Sequence, residues 1–129
     1  MIDLVEFFTP ENKRLLLREY SIYKLDSSVK KKIVEQKGGN FVYSGDKVIA
    51  FKKFDNVCAC IVGEDEDAMF LLNVLNIIMQ HFEKCFGSVT ESSLLYNFAM
   101  SQQIVDACLL DGVVVDLNEP VILNEINGL

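Results

Sequence analysis

Apolar residues crowd the start of the chain. Ile2, Leu4, Val5, Phe7 and Phe8 predict a short strand, which Thr9-Pro10-Glu11-Asn12 ends with turn-forming residues. A hairpin into a second strand, Arg14 to Ser21, is the natural continuation. Asp26-Ser27-Ser28 then offers an N-cap, and Val29, Ile33 and Val34 give a thin apolar stripe to a short, lysine-rich helix. Lys37 and Gly38-Gly39 read as its basic last turn and its permissive C-cap. Phe41-Val42-Tyr43 opens a strand region, and Ser44-Gly45-Asp46 turns it. Lys47 to Phe51 reads as a buried strand flanked by Lys52 and Lys53. After Asp55-Asn56 the chain reverses into Val57 to Val62, which is apolar on both faces and therefore central in its sheet.

From here the period changes. Glu64-Asp65-Glu66-Asp67 suits the N-terminus of a long apolar helix, Ala68 to Phe86, which Gly87 ends. Ser88-Val89-Thr90-Glu91 has the spacing of a capping box and predicts one further helix. That helix would carry Leu94, Leu95, Phe98, Val105, Cys108 and Leu109 on one face, as far as Asp111-Gly112. Residues 113–129, with Val113 to Val115 and Pro120 to Leu123, form a C-terminal tail of unassigned structure. The order β-β-α-β-β-β-α-α breaks any regular β-α-β alternation. It predicts an α+β fold, an antiparallel sheet with helices packed on its faces.

Composition bounds the function classes. At 129 residues the chain fits a single domain, and half of its residues are apolar. A net charge of −7 opposes nucleic-acid binding, because each phosphate contact needs a cation. The same charge opposes docking on an acidic membrane. The longest apolar stretch, Ala68 to Met79, is too short to span a bilayer. Acids among the first six residues do not fit a signal peptide. The four cysteines are therefore expected to be buried thiols in a reducing compartment.

Little chemistry offers itself. His81 and Cys85 are four apart on one helix, as a metal pair requires, and Cys58 and Cys60 on a strand point the same way. These residues are the only candidates for a small metal- or thiol-dependent enzyme. Buried thiols and a surface histidine explain them as well, and aliphatic neighbours would raise the thiol pKa. Glu64 to Asp67 lacks the glycine and spaced ligands of a calcium loop. Phosphate-cradling glycine motifs are absent. We expect no catalytic residue, metal or cofactor.

Two features point to a protein partner. Lys30, Lys31 and Lys32, with Lys37, Lys52 and Lys53, give a basic face on an acidic chain, fit for an acidic partner or simply solvated. On the long helix, Leu71, Val74, Leu75, Ile78 and Phe82 satisfy one face. Met69, Phe70, Leu72, Ile77 and Met79 point elsewhere, so the helix needs cover on more than one side. Phe70, Ile77, Lys30, Lys31, Lys52 and Lys53 are the candidate partner-binding residues.

From Met1 to about Pro120 the chain resembles the small, longin-fold subunits of vesicle coats, and most of all the zeta subunits of coatomer, the COPI coat. Val48-Ile49-Ala50-Phe51-Lys52 through Cys60-Ile61-Val62-Gly63 matches that family's paired strands without a gap. Leu71-Leu72-Asn73-Val74-Leu75-Asn76 is similar to the opening of its long helix. Val105-Asp106 through Val115, then Asn118-Glu119-Pro120, resembles the close of its last helix and the segment after it. The resemblance implies one longin-like domain over residues 1–129, with a five-stranded antiparallel sheet. It implies a non-catalytic subunit clasped by a large gamma-type subunit among other coatomer subunits, recruited to Golgi membranes by an Arf-type GTPase through the assembled coat. It also implies retrograde and intra-Golgi transport from the cytoplasmic side.

Leu95-Tyr96-Asn97-Phe98 with Ile104-Val105-Asp106 is also similar to the sigma subunits of clathrin adaptors, which bind dileucine-type cargo signals. Sigma subunits carry two small residues in place of Asp55-Asn56 and a shorter connection around Gly87 to Ser93. A longin-type regulator that binds a GTPase directly is a third reading.

Overall fold

The computed structural model describes residues 1–109 and the backbone of residues 110, 113 and 114. β1 (Ile2–Phe8) and β2 (Arg14–Glu19) form a hairpin, followed by α1 (Ser27–Glu35). The three-strand meander β3 (Phe41–Ser44), β4 (Lys47–Phe54) and β5 (Val57–Glu64) comes next, then α2 (Ala68–Phe86), α3 (Glu91–Tyr96) and α4 (Phe98–Cys108). A two-stranded ribbon, β6 (Leu109–Leu110) with β7 (Val113–Val114), follows α4. The five long strands make one antiparallel sheet in the order β2-β1-β5-β4-β3. This is the longin-like α+β architecture expected from the sequence. Of the expected tail, only Val113–Val114 falls within the description; Asp111-Gly112 and everything from Val115 onward, Pro120 to Leu123 included, lie outside the described residues.

Strand alternation sorts the core into two halves. One face of the sheet presents Val5, Phe7, Ala50, Ala59 and Ile61 to α2 and α4, where Leu71, Val74, Leu75, Ile78, Phe82, Ile104, Val105 and Cys108 bury against them. The other face presents Leu4, Phe8, Ile49, Phe51, Cys58, Cys60 and Val62 to α1, through Val29 and Ile33. β5 is buried along its length until Glu64, as a central strand with both faces covered must be.

Three local details differ from the sequence expectation. α1 stops at Glu35, and its C-cap is Gln36 in extended conformation, not a glycine. Gly38 and Gly39 instead take left-handed φ values of 113° and 73° in the link to β3. The last carbonyls of α1 are met from the sheet, where Lys53 Nζ donates to the carbonyls of Val34 (3.2 Å) and Gln36. That is a favourable place for a cation.

The capping box lies two residues further on than expected. Thr90 is the N-cap, its hydroxyl accepting from the Ser93 N–H at 3.0 Å while Ser93 Oγ accepts from the Thr90 N–H at 2.8 Å. The single last helix is in fact two. Asn97 (φ −106°, ψ 36°) interrupts it between α3 and α4.

Candidate partner-binding surfaces

The candidate metal or thiol set never assembles. Cys58 and Cys60 do point the same way, into the α1 side of the sheet, but His81 lies on α2, against the opposite face. The sheet stands between them, so the enzyme reading built on His81 with Cys58 and Cys60 fails on geometry. Burial pushes both strand thiols above their ordinary pKa, and most strongly Cys60. Thiols of that kind are poor nucleophiles and poor metal ligands. No cluster of three metal-ligating side chains exists among the described residues.

His81 is not on the surface either. Its side of α2 turns inward, the residue is 3% exposed, and neither ring nitrogen has a hydrogen-bond partner among the described residues.

The lysines do not share one face. Lys30 turns under α1, and its ammonium bonds Glu6 Oε2 at 2.6 Å while lying 5.1 Å from the centre of the Phe8 ring. Glu6 occupies the centre of the sheet beside Cys60, 1% exposed, and also receives Arg14 Nε at 3.4 Å. A strand that alternates inward and outward cannot aim two neighbours alike. Lys52 pairs with Ala59, on the α2 side, whereas Lys53 pairs with Cys58 on the α1 side, where it caps α1. Lys31 is exposed and pairs loosely with Glu35 at 3.9 Å. Of the four candidate lysines, Lys30 is buried and Lys53 is engaged, which leaves Lys31 and Lys52 with accessible charge.

α2 carries the clearest surface signal. Leu71, Val74, Leu75, Ile78 and Phe82 are fully buried as expected. Leu72 and Met79 lean partly on the same core. Outward lie Met69 (55% exposed), Phe70 (39%), Asn73 and Gln80, with Asn76 and Ile77 half-buried between them. From Ala68 to Phe82 the helix has no Asp, Glu, Lys or Arg, so three turns of its outer face carry no charge. Helices that face only water are ordinarily studded with charges.

A second apolar surface arises at the Asn97 break. Leu95, Tyr96 and Phe98 are 45%, 91% and 46% exposed, although the sequence pattern placed Leu95 and Phe98 in the core stripe. Asn97 was the signal available. A short polar residue inside a helical pattern marks an interruption, and in the short α3 only Leu94 turns inward, which leaves its neighbours Leu95 and Tyr96 outward.

Ionic ties hold these helices on the sheet. Arg18 grips Asp106 of α4 with two bonds, 2.9 and 2.6 Å, and Tyr20 donates to the same carboxylate at 3.1 Å. Burial, then the Asp106 charge, raises the Tyr20 phenol pKa well above its ordinary value. At the opposite end Glu91 of α3 accepts from Lys13 (3.2 Å) and from Asn56 in the β4–β5 turn (3.1 Å).

The described residues thus present a longin-like sheet between helices, with apolar side chains exposed on α2 and around Asn97. The chain belongs to the clathrin adaptor complex small chain family, which it matches over residues 1–129. It is 25% identical over 88 residues to AP-1 complex subunit sigma-1 of Schizosaccharomyces pombe, covering 67% of this chain and 54% of that one. It is 27% identical over 88 residues to the Dictyostelium discoideum protein named "Probable coatomer subunit zeta-B", covering 63% and 49%. The matched segment thus spans about half the length of these two relatives. Further sigma subunits of AP-1, AP-2 and AP-3 complexes match at 22–27% identity. In three dimensions the chain superposes on a chain from a homology model of the full-length AP-3 complex in a stretched open conformation. The TM-score is 0.72 at 16% identity, with 99% of this chain and 92% of that one covered. No helix among the described residues is long and apolar enough to cross a membrane.

Proposed function

We infer that this chain is a non-catalytic small subunit of a vesicle coat, acting as one longin-like domain with residues 113–129 as its tail, and held by one larger coat subunit. The observation that carries this reading is the charge-free outer face of α2. Phe70 and Ile77 lie on it, in a family of subunits that exist in complexes. The mechanism is mechanical. The five-stranded sheet gives rigidity, and a large partner covers the apolar face that water would otherwise meet.

Within that class we favour the zeta type. It would pair with a gamma-type large subunit among other coatomer subunits and be recruited by an Arf-type GTPase through the assembled coat. It would serve Golgi-to-endoplasmic-reticulum and intra-Golgi transport from the cytoplasmic face of Golgi membranes and coated vesicles. The ungapped resemblance of Val48 through Gly63 to the zeta strands, and the Asp55-Asn56 turn in place of the two small residues of sigma subunits, support it. The sigma reading is favoured by a different observation, the recurrence of sigma subunits among the relatives.

Co-expression with gamma-type and adaptor-type large subunits, followed by size exclusion with mass determination, separates the two. A one-to-one complex with the gamma type alone supports zeta, and pairing with an adaptor chain moves the protein to sigma. Pairing with neither overturns the coat-subunit reading.

A further inference from the structure

The sheet ends at β3, whose outer edge is unpaired among the described residues. The Phe51 N–H donates to the Asn40 carbonyl at 2.8 Å. Bonding then alternates along the antiparallel ladder, so Val42 and Ser44 bond across to β4 while Phe41 and Tyr43 turn their backbone groups outward. The Gln36 amide reaches the Phe41 carbonyl at 3.4 Å, whereas the outward Tyr43 N–H and carbonyl meet no such group among the described residues. Tyr43 itself is 64% exposed. Beside this edge, between α1 and β3, runs an open groove of about 470 Å³ lined by Lys32, Glu35, Gln36, Phe41, Val42 and Tyr43.

Charge selects the occupant. Residues 24 to 53 hold eight lysines against three acids, Asp26, Glu35 and Asp46, a net of +5 in a chain of net −7. Lys30 is engaged by Glu6, Lys47 by Asp3, and Lys53 by the carbonyls of α1. Lys32, on the groove wall, and Lys37, in the link leading into β3, have no ion-pair partner among the described residues. The groove between α1 and the β1–β2 turn, about 300 Å³, is a weaker candidate: its Lys30 is already paired, and it has no open strand edge.

We propose that the outer edge of β3 accepts an extended acidic segment of a protein partner as a sixth strand. Its acidic side chains face α1, near Lys32 and Lys37, and its apolar ones face Phe41 and Tyr43. An alternating acidic and apolar pattern follows from strand geometry, because Val42 lies on the α1 side of β3 while Phe41 and Tyr43 lie on the α2 side. This surface is separate from the charge-free face of α2, so it stands whichever large subunit binds there.

The test uses the full chain and a fluorescein-labelled eight-residue peptide of alternating Glu and Val, followed by anisotropy. Binding is expected, weakened at least about tenfold by raising salt from about 50 to 500 mM. The double variant Lys32→Glu with Lys37→Glu should weaken it by a similar factor, and a Lys–Val peptide should not bind. Tyr43→Pro removes the outward N–H without removing a bond to β4, and should abolish binding while Tyr43→Val keeps it. If Tyr43→Pro fails to fold, hydrogen exchange at the Tyr43 amide decides, with protection by the peptide expected.

No binding would mean that the lysines merely guard the edge, and it overturns the proposal. Binding that survives Tyr43→Pro, an unprotected Tyr43 amide, or a second copy of this chain occupying the edge would also overturn it. Complex formation with a large subunit should be unchanged in all of these variants, which keeps this test distinct from that of the coat-subunit reading.

Discussion

The Lys30 ammonium lies 2.6 Å from the Glu6 carboxylate, the two groups being 7% and 1% exposed, so α1 is fastened to the middle of the sheet by a charge pair sealed from water. Removing Glu6 leaves the Lys30 charge buried without its partner, and removing Lys30 leaves Glu6 with only the longer Arg14 contact at 3.4 Å. Glu6→Ala or Lys30→Ala should cost about 3–5 kcal/mol. Glu6→Leu with Lys30→Met removes both charges and should recover most of that loss. Urea unfolding of the four proteins checks the expectation. Single variants as stable as the double would show that the pair is not buried in solution.

The Arg18–Asp106 clamp is more open, with side chains 33% and 42% exposed, so Asp106→Asn should cost only about 1 kcal/mol. Its sharper signature is in the Tyr20 phenol. Burial and the Asp106 carboxylate raise that pKa, so Tyr20 contributes stability that is full below its ordinary value of 10.0 and is lost as pH climbs beyond it. Ultraviolet titration should show a phenol that ionises late. Tyr20→Phe should remove it, and Asp106→Asn should bring it to lower pH.

Cys58 and Cys60 sit inside the α1-side core with raised pKa values, and their thiolates are scarce at neutral pH. Iodoacetamide should leave both unmodified in the native protein and label both in urea, as read by mass spectrometry of peptides. Dialysed protein should hold no stoichiometric zinc. Retained zinc that depends on both His81 and Cys58 would contradict the placement of those residues on opposite sides of the sheet.

On the outer face of α2, Phe70→Asp and Ile77→Asp place a charge where a partner must exclude water. Each should reduce recovery of the large-subunit complex at least about tenfold, equivalent to about 1.4 kcal/mol. Phe70 is already 39% exposed, so Phe70→Asp should change the stability of the isolated chain by about 0.5 kcal/mol or less. Unchanged complex recovery would shift the interface to the Leu95–Tyr96–Phe98 surface.

Strand and helix periods made most of the fold legible. The hairpin at Thr9 to Asn12, the Asp26 and Asp67 N-caps, the Gly87 end of α2 and the centrality of β5 all follow from local chemistry. What escaped depends on contacts distant in sequence. Lys30 looks like one of three solvated lysines until Glu6, twenty-four residues earlier, is placed beneath it. Nor does a single sequence show that His81 and Cys58 lie across a sheet from each other. The break at Asn97 is marked only by one short polar residue, and Leu95 and Phe98, which the pattern gives to the core stripe, lie outward.

The pairing of β1 with β5 also sets a timetable. Phe8 meets Cys58 and Ile2 meets Gly63, so the strand made first finds one of its two neighbours only after another fifty or more residues have been synthesised. At about 5–20 residues per second that is a wait of seconds, far longer than the microseconds a hairpin with β2 requires. During that interval Phe7 and Phe8, destined for full burial, have only half of their sheet around them. Their exposure to other nascent chains is governed by the pace of translation, not by the stability of the finished fold.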